Sequence, residues 1–206
     1  MTMKKQLLRG IIVGALATFG TGILTVAQAE GTASLDLTVK ANLTTGTCSA
    51  SVVDGETVTN TIAFGNVYLS EVNTRSKSKA FVLRFSDCAG LKDKKATFKL
   101  IPNNIDCAGK TTKTDGQFDN AILPTEGGSS KVVVDVWTTE SLGGVDKTRL
   151  HCWSKPVQIV DLSTASITQP VDVPLNAYLM RQSGSTAAEL VAGDFRSPTV
   201  FVITYQ

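Results

Sequence analysis

The chain has 206 residues, of which 18% are charged and 42% apolar, a balance that excludes a long disordered polymer. Seventeen glycines and six prolines are too few for a collagen-like chain, and a single histidine, His151, excludes a His-rich metal site. The formal charge of +2 is carried by the N-terminus: three of the 20 basic residues and none of the 18 acidic ones fall before residue 30. The remainder is close to neutral, so no basic character points to nucleic acid.

Residues 1–29 have the form of an export signal. Lys4, Lys5 and Arg9 precede an uncharged run from Ile11 to Val26, and Ala27-Gln28-Ala29 is a small-x-small cleavage site. Sixteen residues interrupted by Gly14, Gly20 and Gly22 are short for a membrane span. The next segment, residues 30–43, alternates: Leu35, Leu37, Val39, Ala41 and Leu43 share one face, with Asp36, Thr38, Lys40 and Asn42 between them. A polar linker, Thr44 to Thr47, separates it from Cys48.

Residues 44–206 read as one further domain. Strand patterns follow at Cys48–Val53, Val58–Phe64, Ala80–Ser86, Ala96–Ile101, Lys131–Thr138, Val157–Leu162, Val171–Met180 and Thr199–Tyr205. Turn signals such as Asp54-Gly55, Gly143-Gly144 and Ser183-Gly184-Ser185 punctuate them. No run of ten or more residues has a helical period, and about eight or nine strands at this spacing predict an antiparallel sandwich. Four cysteines behind an export signal point to disulfides, and no C-x-x-C or C-x-x-H spacing suggests a metal. Of the three pairings, two sequential loops, Cys48–Cys88 and Cys107–Cys152, are the simplest. Each loop would contribute about 4 kcal/mol in the chain-entropy account.

The C-terminal stretch Ala192-Gly193-Asp194-Phe195-Arg196-Ser197-Pro198-Thr199-Val200-Phe201-Val202-Ile203-Thr204-Tyr205-Gln206 resembles the last strand of pilus subunits assembled by the chaperone–usher route. Gly193 and Tyr205 occupy the positions of that family's Gly fourteenth from the end and its penultimate Tyr. Ala63-Phe64-Gly65-Asn66-Val67, Phe81 to Asp87-Cys88 and Leu175 to Met180 resemble three further stretches, in the same order. The likeness is strongest to type 1 fimbrial subunits of the minor or adaptor kind. Two features depart from the pattern. Ala41 stands where the family often has Gly, and the second cysteine pair, Cys107 and Cys152, is absent from many type 1 subunits.

The resemblance implies an all-β, immunoglobulin-like sandwich that lacks its last strand and is completed by a donor strand from another subunit. The implied donor is Leu35, Leu37, Val39, Ala41 and Leu43. The implied receiving strand carries Gly193 and, on one face, Phe201, Ile203 and Tyr205. Burying the four larger donor side chains would be worth about 6–12 kcal/mol. The implied partners are a periplasmic chaperone, an outer-membrane usher and neighbouring subunits, with passage through the periplasm to a cell-surface fimbria and a role in adhesion. The first cysteine pair belongs to the family pattern.

No enzyme chemistry, cofactor or metal is expected. G-x-S-x-G is absent, His151 abuts Cys152, and Asp54, Asp87 and Asp161 are too scattered for a calcium loop. Gly109-Lys110-Thr111 resembles the end of a phosphate loop, but Asn104 stands where the first Gly is needed. Trp153 reads as a core residue and Lys92-Asp93-Lys94-Lys95 as a solvated loop. The rival reading is a tip adhesin binding a host glycan. Family adhesins join a receptor domain to a pilin domain and have no free donor tail, which sets this one-domain chain apart from them.

Overall fold

A computed structural model of the chain describes residues 46–109, 116–138 and 148–206. The signal, the expected donor segment Leu35 to Leu43 and the phosphate-loop candidate from Lys110 onward lie outside the described residues.

Two antiparallel sheets face each other. Strands β1 (Thr47–Asp54) and β2 (Thr57–Thr59) form a hairpin closed by Asp54-Gly55, and β1 pairs along β3 (Lys77–Ala89). Next come β4 (Lys95–Pro102), the two-residue strands β5 (Cys107–Ala108) and β6 (Gln117–Phe118), then β7 (Val132–Trp137), β8 (Arg149–Leu150), β9 (Gln158–Asp161), β10 (Val171–Arg181) and β11 (Thr199–Tyr205). The larger sheet runs β2-β1-β3-β10-β7-β6-β5, with β8 also on β7; the smaller runs β11-β4-β9.

Alternation decides which side chains meet. Phe81, Leu83 and Phe85 of β3 and Leu175, Ala177 and Leu179 of β10 face Ala96, Phe98 and Leu100 of β4 in one buried core. Over β7 and the last half of β10 the other face of the larger sheet is buried too, where Val133, Trp137, Tyr178, Met180 and Ala108 form a second cluster. Within that face Arg149 donates to Asp135 at 2.8 Å, and its guanidinium stacks 5.9 Å from the Trp137 ring. Burial pushes the Asp135 carboxyl up, and Arg149 acts against that shift.

Cys48–Cys88 bonds β1 to β3, and Cys107–Cys152 bonds β5 to the residues after β8, with Cα atoms 4.1 and 5.6 Å apart. Asp87, just before Cys88, adopts φ +51°, and the β1–β3 register shifts between Thr47 and Ser49. An Asp or Asn tolerates that left-handed conformation best among residues with a side chain, which accounts for the acidic residue beside the cysteine.

Three sequence expectations change. The Val58–Phe64 strand is cut to three residues, because the ladder to β1 ends at Thr59 and the residues after it pair with no strand. A six-residue helix, α1 (Leu69–Thr74), follows, too short to show a period. Its start is set by the Tyr68 N–H donating to Glu71, its end by Arg75 at φ +55°, and Val72 buries it against β10. Trp153 is 41% exposed rather than core. The Lys92 to Lys95 turn is exposed, as expected.

Candidate strand-acceptor groove

β11 is bonded to β4 along one edge, from Thr199 opposite Pro102 to Tyr205 opposite Ala96. Along its other edge it has no ladder partner among the described residues. Across from that edge runs segment 60–67, also outside any ladder. Between them lies a groove of about 870 Å³.

The walls are asymmetric. One is Ile62, Phe64 and Val67, half-buried side chains at the inward positions of that segment, with the intervening residues exposed. The other is the run from Ala192 to Thr199, continued by Phe201. The floor is core: Phe81, Leu100, Val132, Val134, Val136, Ala177 and Leu179 all contribute. A trough with an apolar floor, bordered by the open edge of β11 and by a segment outside any ladder, is a site that one more β-strand could fill, with side chains to the floor and backbone groups to the edge. Ser197 Oγ, on the wall, is buried without a hydrogen-bond partner.

The four sequence-derived residues of the receiving strand fall in two places. Gly193 and Phe201 line the groove. Ile203 and Tyr205 point inward on the same face of β11 but pack on the core beyond the groove. The opposite face carries Val200 and Val202, 41% and 36% exposed.

Gly193 lies six residues before β11, not within it. A Cβ there would stand 2.6 Å from the Gly127 carbonyl oxygen, the Gly128 carbonyl carbon and the Ser129 nitrogen, so no other residue fits against that backbone without displacing it. The approach is held by Asp194 N–H on the Gly127 oxygen (3.0 Å) and Ser129 N–H on the Asp194 oxygen (2.9 Å). Tyr205 closes the other end of the strand. Its hydroxyl donates to the Cys48 carbonyl at 2.8 Å, and its ring meets Phe85 edge-on at 6.4 Å. Burial raises the phenol's pKa. The penultimate tyrosine therefore pins β11 to the first strand of the opposite sheet.

The floor residues and the wall at Ser129 were not singled out from the sequence. The floor has the same apolar alternation as any core strand, and residues 128 and 193 meet across a separation of 65 residues. Among the described residues, no group of His, Cys, Asp and Glu could hold a metal.

No protein-family model matches the chain. It is 35% identical over 185 residues to the uncharacterized fimbrial-like protein YadL of Escherichia coli K12, spanning 89% of this chain and 90% of that protein. The P pilus rod subunit PapA has the same fold, with TM-score 0.50 at 16% identity, over 77% of this chain and 99% of that one. The CupB6 tip adhesin of Pseudomonas aeruginosa superimposes with TM-score 0.50 at 20% identity over 78% of this chain but only 38% of the adhesin's. With a pilin sandwich as its fold, and with identity and coverage of this order along nearly its whole length, the chain belongs to the family of fimbrial-like proteins.

Proposed function

We propose that the chain is a structural subunit of a cell-surface fimbria that polymerises by donor-strand exchange and so supports adhesion by the organelle. The observation that carries this reading is the groove between β11 and residues 60–67, apolar at its floor and flanked by edges that lack ladder partners among the described residues. An edge of this kind drives aggregation unless covered.

In this reading residues 1–29 are removed on export, residues 30–43 are the donor, and residues 44–206 are the accepting domain. A periplasmic chaperone covers the groove first. At the outer-membrane usher, the donor segment of the next subunit replaces it. The nine residues from Leu35 to Leu43 extend about 30 Å, longer than the roughly 23 Å of the seven residues of β11. Leu35, Leu37, Val39, Ala41 and Leu43 would face the floor. Nucleotide hydrolysis is not required, because folding energy withheld in the chaperone complex drives the exchange. No enzymatic role is proposed.

Deletion of Glu30 to Leu43 tests this. The shortened chain should still fold and co-purify with its chaperone yet fail to enter a growing fibre. Unfolding of the shortened chain in the chaperone complex would count against the reading, because the leading segment would then belong to the chain's own sandwich.

A further inference from the structure

One side chain joins the backbone bonds of the wall that contains Gly193. The Asn120 amide nitrogen donates to the Asp194 carbonyl at 2.8 Å and to the Ser129 carbonyl and hydroxyl at 3.2 Å each. Its amide oxygen accepts from the Arg196 N–H at 3.0 Å and the Ile122 N–H at 3.1 Å. The two halves of one amide thus clasp residues 194 and 196 on one side and residues 122 and 129 on the other. The orientation is unambiguous, because both groups facing the oxygen are N–H donors. Around this clasp the Ala121 N–H donates to the Arg196 carbonyl at 2.7 Å, and Ser130 and Val191 exchange backbone bonds in both directions. Asn120 is itself anchored. It follows β6, which pairs with β5 at Cys107, the residue bonded to Cys152.

Ser129, Asp194, Arg196 and Ser197 all line the groove. Ala192 to Pro198 belong to no extended ladder; single backbone bonds tie them to residues 103, 121, 127 and 129, and the Asn120 amide bonds both Asp194 and Arg196. We propose that Asn120 is a positioning residue for strand insertion: it holds the Gly193 wall in the geometry that an incoming strand needs, so that the groove end is formed before the strand arrives. This rests on the donor-strand reading above. A pre-formed site binds faster and holds longer than one that must order itself on binding.

The chain is purified as its chaperone complex and challenged with a labelled synthetic peptide of residues Ala33–Leu43. Uptake is followed by native gel or polarisation, and backbone hydrogen exchange is measured in parallel. Asn120→Ala and the isosteric Asn120→Asp are expected to slow peptide uptake about tenfold. Exchange should rise only in residues 120–130 and 190–197, with β3 and β10 protected as in the wild type. Asn120→Asp matters most, since it keeps the shape but turns a carboxylate oxygen toward two carbonyls; a space-filling role would leave it unharmed. Ser129→Ala, which removes one contact, should fall between and serves if the Asn120 variants do not fold. Uptake by Asn120→Asp within twofold of wild type, or exchange rising throughout the sandwich, would overturn the role of Asn120 alone. A wild-type complex that takes up no peptide would overturn the strand-insertion reading and this role with it.

Discussion

β10 and β11 are both mostly apolar strands and meet different fates. The stretch from Leu175 to Met180 is buried at every position, because β3 and β7 flank it and both faces of its sheet are covered there. The stretch from Thr199 to Tyr205 alternates between half-buried and exposed, and no side chain in it is fully buried. It has β4 on one side and the groove on the other. An apolar strand is finished by its neighbours rather than by its composition, and β11 is a core strand that still has room for one.

Five substitutions sharpen or break that contrast. The largest effect is expected at Leu179→Ala on β10, a cavity in a closed site, at about 2–5 kcal/mol whether or not the groove is filled. Phe201→Ala on β11 should cost less in the chain alone and approach that value only when a strand occupies the groove. Denaturant unfolding of both variants with and without a bound strand reads the difference, and equal costs in both states would erase the contrast. Gly193→Ala should lower stability by about 1–3 kcal/mol, because its methyl group meets backbone rather than a movable side chain. Tyr205→Phe keeps the ring contact with Phe85 and loses the bond to the Cys48 carbonyl, at about 1 kcal/mol.

The smallest effect is expected at Arg84→Ala, on the outer face of β3. Arg84 grips Asp172 of β10 with two bonds of 2.7 Å, both partners in solvent. The hydrogen bond from Arg84, helped by its charge, holds the Asp172 carboxyl below the usual carboxylate range. Whatever stability the pair contributes is present above the ordinary carboxylate pKa and is lost as pH falls through the lowered value. Acid titration of unfolding should show this small loss in the wild type and not in Arg84→Ala.

The parts visible in the sequence are those where a local pattern and the final neighbours agree. β4, β10 and β11 alternate or run apolar and appear within a residue or two of the expected bounds. The segment after Thr59 alternates just as well, yet Ile62 and Phe64 end on a groove wall without a ladder, since alternation reports which side is apolar and not whether a partner strand is present. β5, β6 and β8 are two residues long and leave no pattern. Gly193 and Tyr205 were legible only through family likeness; the reasons for them, a backbone at 2.6 Å and a carbonyl on β1, lie far off in sequence. Asn120 carries no signal, as its partners Asp194 and Arg196 are more than 70 residues away.

The most direct test of the missing strand is the behaviour of the chain stripped of chaperone and of every other subunit. Dilute, chaperone-free monomer followed by thermal unfolding should be marginally stable and aggregation-prone, and should gain a large increase in Tm when a strand from another chain is supplied. A stripped monomer that stays soluble, resists heat and gains nothing from an added strand would contradict the account.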